Sequence, residues 1–163
     1  MLENSLSIRN SSFGKGISSS RSFSLGDRIL TFTGPLISFE QTVKLEEKEC
    51  YPLQIGRKLY IDIEAPGRFV NHSCEPNTGI QNTKDLIALR NIIAGEEIFY
   101  DYSTSMDEDH WTMACTCGSA SCRGIVTDFK YLPLALQRKY LSLGVVQPYI
   151  MERVLPTFFK RVL

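Results

Sequence analysis

Three cysteines packed into eight residues, Cys115-Thr116-Cys117-Gly118-Ser119-Ala120-Ser121-Cys122, constrain this chain more than any other feature. The stretch is small and polar, so it has little apolar surface with which to hold a shape of its own. C-x-C-x4-C spacing offers soft sulfur ligands to a structural zinc ion, which takes four ligands in a tetrahedron. One ligand is missing locally. Cys74, in Asn71-His72-Ser73-Cys74, and Cys50 are both candidates, with His110 an outside one. An odd total of five cysteines fits a metal site in a reducing compartment better than a disulfide framework. The N-terminal MLENSLSIRN lacks a basic start followed by an apolar core, so no secretory signal is read. The expected location is therefore intracellular, in cytoplasm or nucleus.

A length of 163 residues corresponds to about one domain, and 43% hydrophobic against 22% charged residues excludes disordered and fibrous classes. The apolar runs are too short to span a membrane. Eighteen basic residues cancel eighteen acidic ones, which removes a global field for nucleic acid or anionic lipid. Neither direct nucleic-acid binding nor a membrane partner is expected.

Short strand-like runs at Leu6 to Arg9 and Arg28 to Thr33, separated by glycines and the Gly34-Pro35 turn, predict a meander of short strands. Ser38 with Gln41 forms a capping-box pattern, and Phe39 and Val43 share a helical face, which predicts a short helix through about Lys48. Strand-like pieces resume at Leu59 to Ile63, Leu86 to Leu89 and Glu97 to Tyr102. Strands do not alternate with long helices, so a doubly wound sheet is excluded. Leu132, Leu136, Tyr140 and Leu143, with Pro133 early and Gly144 after them, predict an amphipathic helix. A second helix from near Pro148 would bury Ile150, Met151, Val154 and Leu155, with Pro156 interrupting or ending it. Both apolar faces are expected to pack on the main body rather than on a partner.

Three further segments carry chemistry: Gly14-Lys15-Gly16, Arg68-Phe69-Val70-Asn71-His72-Ser73-Cys74-Glu75-Pro76-Asn77 and Gly95-Glu96-Glu97-Ile98-Phe99-Tyr100-Asp101-Tyr102. The first alone is weak, and without a third glycine at position 19 it does not read as a Rossmann site. In this order, with the cysteine cluster after them, the segments resemble the SET-domain protein lysine methyltransferases with a post-SET zinc motif. The resemblance covers about residues 6 to 127. It implies a mainly β fold of small curved sheets with short helices. The divisions would be a SET catalytic domain over 1–112, a post-SET zinc segment over 113–127 and a C-terminal helical extension over 128–163.

The resemblance also assigns roles. Gly14, Lys15, Gly16, Arg68, Asn71 and His72 would contact S-adenosylmethionine, with Arg68 equally readable as a brace for the fold. Cys74 would join Cys115, Cys117 and Cys122 around one Zn2+. Tyr102 looks like the catalytic tyrosine, Tyr100 like the residue that limits room for the amine, and Tyr51 like a third wall of the lysine channel. The implied function is methyl transfer to a lysine of a histone or other basic protein, mainly one methyl per lysine. Two rivals are a catalytically weak SET-fold module that grips a peptide and a small zinc protein that binds nucleic acid. The acidic run Asp107-Glu108-Asp109 reads as solvated linker or as a surface attracting a lysine-rich tail. Trp111 reads as a linker anchor or a lid on the adenine.

Overall fold

Glycine, proline and asparagine recur every few residues, which keeps the strands short and divides them among several sheets. The computed structural model describes residues 5–160. In chain order its strands are β1 (Leu6–Ser11), β2 (Gly14–Ser19), β3 (Arg28–Thr31), β4 (Leu36–Ser38), β5 (Pro52–Gly56), β6 (Leu59–Asp62), β7 (Asn71–His72), β8 (Thr78–Gln81), β9 (Asp85–Ala88), β10 (Phe99–Tyr100), β11 (Met113–Ala114) and β12 (Ile125–Val126). The α-helices are α1 (Phe39–Val43), α2 (Leu134–Ser142) and α3 (Pro148–Lys160), and 3-10 turns fill several of the connections.

Among the described residues the strands form five small sheets: β1-β2, β3-β9-β8, β4-β6-β5, the parallel pair β7-β10 and the pair β11-β12. Ile17, Ile29, Leu86, Ile92 and Ile98 are fully enclosed where the first sheets converge, and they form the main core. A second core, built on Phe129, Tyr140, Val145 and Ile150, belongs to the C-terminal segment. The segment is keyed to the body at Gly79, where an added Cβ would stand 2.7 Å from the Val145 side chain. It is also hydrogen-bonded to the body. The Gln147 side chain donates to the Thr83 carbonyl at 2.8 Å, and the Tyr149 hydroxyl donates to the Ser105 carbonyl at 2.9 Å. The expected packing of this segment on the main body is what the structure has.

Several boundaries differ from the sequence reading. Ser38 does cap α1, with both halves of the capping box made, but the helix ends at Val43. Glu46 then takes a positive φ of 52°, and a separate 3-10 turn covers Glu46–Lys48. The expected strand over Glu97 to Tyr102 is reduced to Phe99–Tyr100, because Asp101 caps a 3-10 turn that takes Tyr102 out of the ladder. The strands expected at Arg28 to Thr33 and Leu86 to Leu89 close earlier, at Thr31 and Ala88. Leu132 precedes α2 and is buried all the same, while Gly144, at φ 66°, follows its end as expected. Leu155, expected inside, is 38% exposed, and Pro156 lies within α3 rather than at its end.

Candidate active site

The parallel pairing of β7 with β10 brings two distant motifs together, setting Phe99 opposite Asn71 and Tyr100 opposite His72. The amide nitrogen of the Asn71 side chain donates to the Lys15 carbonyl and to Glu97 Oε1, both at 3.0 Å. Gly16 is needed for that approach. A Cβ there would lie 2.2 Å from Glu97 Oε1. The Gly14-Lys15-Gly16 turn, the N-H-S-C run and the G-E-E run therefore meet at one point.

His72 is buried, and its Nδ1 accepts the Tyr102 backbone N–H at 3.2 Å. That contact assigns the remaining ring proton to Nε2, which lies 3.4 Å from Cys74 Sγ. Burial pushes the His72 pKa down to about 4, against the nearby Asp101 carboxylate that raises it, with the Arg123 charge lowering it further. A neutral imidazole thus links the N-H-S-C run to the turn that carries Tyr102.

The Sγ atoms of Cys74, Cys115, Cys117 and Cys122 all lie within 4.8 Å of one another, and Cys50 is not among them. Cys115 stands 3.8 Å from Cys74 and 3.7 Å from Cys122. Four sulfurs at the roughly 2.3 Å Zn–S distance of a tetrahedron stand about 3.8 Å apart, so the donors and their spacing fit zinc. Backbone N–H groups already point at the sulfurs: Arg123 donates to Cys74 Sγ at 3.4 Å and Cys74 to Cys117 Sγ at 3.5 Å. Such outer contacts orient metal ligands and stabilise their charge.

Asp101 is the centre of a network that sequence spacing did not reveal. It is 1% exposed. Arg123 grips it with two 2.8 Å hydrogen bonds, Tyr140 of α2 donates to it at 2.8 Å, and it accepts the Ser103 N–H at 3.1 Å. Paired and fully hydrogen-bonded, a buried carboxylate fixes the geometry around it. It holds the first turn after β10, and with it Tyr102.

Two cavities meet at Tyr102 and Cys50. The larger, of about 340 Å³, is walled by Gly14, Lys15, Arg68, Asn71, His72 and the chain around Cys115. Tyr51, expected as a wall of the lysine channel, lines this larger cavity and not the smaller one, with the Arg68 guanidinium 5.5 Å from its ring centre. Arg68 also donates from Nε to the Ile63 carbonyl at 2.8 Å, so it braces the fold while facing the cavity. Gly16 is buried behind the cavity rather than on its wall.

The smaller cavity, of about 30 Å³, is lined by Tyr60, Tyr100, Tyr102 and Trp111. The Tyr100 and Tyr102 ring centres are 4.8 Å apart, and Trp111 stands 6.5 Å from Tyr102. Burial raises the pKa of both tyrosines and holds their hydroxyls in the protonated form. The Tyr102 hydroxyl donates to the Val70 carbonyl at 2.9 Å. Tyr60 had no motif to announce it, and Trp111 is placed here on the aromatic side of Tyr102.

The acidic run is not a solvated linker. Asp107 pairs with Arg153 at 2.8 Å, Asp109 with Lys130 at 2.5 Å, and Glu108 accepts from the Tyr60 hydroxyl. It staples the C-terminal segment to the body.

A model of the SET domain matches residues 14–103, more than half of the chain. This chain belongs to the SET-domain family. It is 34% identical over 132 residues to histone-lysine N-methyltransferase trithorax of Drosophila virilis, with 71% of this chain and 3% of that protein covered. It is 30% identical over 131 residues to histone-lysine N-methyltransferase 2B of Homo sapiens, with 71% and 5% covered. The chain thus spans a small part of these relatives. The crystal structure of KRYPTONITE in complex with mCHG DNA and SAH superposes on 75% of the chain and 29% of its own, at TM-score 0.60 and 26% identity. Mainly β, with a cysteine cluster suited to zinc beside the SET body, the architecture matches this family. Among the described residues no helix is long and apolar enough to cross a membrane.

Proposed function

We propose that this SET domain transfers a methyl group from S-adenosylmethionine to the side-chain amine of a protein lysine. The observation that carries this reading is the pair of cavities joined at Tyr102, one large enough for a nucleoside cofactor, the other small and lined by three tyrosines and Trp111. When bound, S-adenosylmethionine supplies a methyl on a positively charged sulfur. The relatives' names describe histone-lysine methyltransferases, which supports a protein lysine as acceptor.

In this reading Gly14, Lys15, Arg68, Asn71 and His72 form the cofactor wall. Tyr51 closes that wall beside Arg68. The lysine enters from the opposite side, between Tyr60, Tyr100 and Trp111. A free lysine has a pKa of about 10.4, so its ammonium must lose a proton before the nitrogen lone pair can attack. Burial among the rings and a second positive charge ahead both favour the neutral amine. The Tyr102 hydroxyl, fixed by the Val70 carbonyl, holds nitrogen, methyl and sulfur in line. The new C–N bond forms as the C–S bond breaks, and the surplus proton leaves to solvent. One Zn2+ on Cys74, Cys115, Cys117 and Cys122 would clamp the segment that carries the cofactor wall from Met113 to Cys117.

Tyr100 limits the product. It is 6% exposed and lines a cavity with room for roughly two water molecules, which favours a single methyl per lysine. Methyl transfer, measured beside cofactor binding, separates this reading from that of a binding module. Methyl transfer lost in Tyr102→Phe, with cofactor affinity kept, supports the enzyme; cofactor binding with no transfer to any lysine-containing protein supports the module.

A further inference from the structure

Outside the smaller cavity lies a third space of about 320 Å³, and Gln54, Tyr60 and Glu108 line both. It is the ground on which the residues next to an inserted lysine would rest. Its rim is charged. Arg57 and Lys58, in the turn between β5 and β6, form one side, and Arg153 of α3 forms the other.

The acids in this groove are already engaged. Asp107 holds Arg153 and lies 3.6 Å from Lys130, and Glu108 accepts from Tyr60. Burial, ahead of the neighbouring Asp128 charge, raises the Glu108 carboxyl pKa and weakens its claim as an anion. The cations are not matched in the same way. Arg57 and Lys58 are exposed, and among the described residues neither makes a salt bridge. Glu40, whose carboxyl is lowered first by its own backbone contact and by Ser38, feels Lys58 only as a further charge. Arg153 uses Nη1 on Asp107 and keeps its other guanidinium donors.

We infer that the groove selects a substrate in which an acidic side chain lies beside the target lysine, held by Arg57 and Lys58 against the wall made by Arg153. The inference rests on the lysine-methyltransferase reading and adds the substrate's local charge. It reverses the sequence-based alternative in which Asp107-Glu108-Asp109 attracts a lysine-rich tail, because those carboxylates are bound internally. An unpaired cation pair at the rim of a groove rewards an anionic partner and penalises a cationic one. The third member, Arg153, lies outside residues 14–103, so the C-terminal segment takes part in choosing the substrate.

The test uses the full chain and peptides with one lysine in a Gly/Ser scaffold, bearing Asp, Ala or Arg at each position adjoining it. Methyl transfer is followed by mass spectrometry, and binding by fluorescence anisotropy with S-adenosylhomocysteine present. Asp at the favoured position should raise kcat/KM about tenfold over Ala, Arg should lower it, and added salt should shrink the difference. The double variant Arg57→Glu/Lys58→Glu should reverse the order. Preference for Arg, indifference to charge, or an order unchanged in the double variant would overturn the inference. If no peptide is methylated while acidic peptides still bind more tightly and the double variant reverses that, the groove stands and the transfer reading falls. Equal binding of all peptides would remove the groove whatever the activity.

Discussion

The Tyr140 hydroxyl, on the first α-helix of the C-terminal segment, donates a 2.8 Å hydrogen bond to Asp101 Oδ2, the residue just before Tyr102. The segment beyond the matched SET region therefore reaches the turn that sets the proposed catalytic hydroxyl. Tyr140→Phe removes one donor from a buried carboxylate that keeps Arg123 and Ser103, a loss of about 1–2 kcal/mol. The expected kinetic result is a fall in kcat with cofactor KM nearly unchanged. A purely structural residue would lower Tm and leave kcat per folded molecule intact, so steady-state kinetics beside thermal melting separates the two.

Zinc should be present at about one ion per chain, since the four thiols match one tetrahedral site. Because Arg123 follows Cys122 directly, losing the ion would also loosen the grip on Asp101. A strong chelator is expected to lower Tm and activity together. Cys74→Ser should lose the metal and Cys50→Ser should keep it, read by metal analysis of the purified variants.

Tyr100→Phe should shift the product from monomethyl-lysine toward di- and trimethyl-lysine, with the first transfer slowed only slightly. The variant removes one oxygen from the wall of a cavity of about 30 Å³, where a single atom changes what fits. Mass spectrometry of a substrate carried to completion reads the outcome. Trimethyl-lysine formed by the unaltered protein without a monomethyl plateau would refute the role given to Tyr100.

Glu108→Gln should stabilise the fold at neutral pH and not in acid. The folded-state pKa of Glu108 lies above its ordinary 4.5, chiefly through burial, so ionising it opposes folding. The sign follows: the advantage of the neutral amide is full above the raised folded value and disappears as pH falls below 4.5. Partial exposure limits the gain to about 1 kcal/mol or less. Thermal melts of both proteins across this range measure it, and a gain that persists in acid would contradict the assignment.

What was readable in the sequence was mostly local. The capping box at Ser38 and Gln41, the Gly144 helix end and the C-x-C-x4-C spacing each involve neighbours in the chain, and their physical chemistry can be read there. The meeting of Asn71 with Gly16 and Glu97 depended on family resemblance, since pattern alone gives no register between such short strands. The ties among Asp101, Arg123 and Tyr140 were invisible because their partners lie 22 and 39 positions away. Tyr60 carried no motif and Trp111 read as a linker anchor or a lid on the adenine; only the folded chain sets both beside Tyr102. Leu155 misled because helical periodicity marks a face without saying where its cover ends.

The most direct measurement of the central claim is mass spectrometry of a lysine-containing protein substrate incubated with S-adenosylmethionine and either the unaltered protein or Tyr102→Phe, with S-adenosylhomocysteine release counted in parallel. The account predicts methylated lysine matched by S-adenosylhomocysteine for the unaltered protein, and a loss of about a hundredfold or more in a Tyr102→Phe variant that still folds and binds the cofactor. Equal activity in the two proteins, or bound cofactor with no lysine methylated by either, would contradict it.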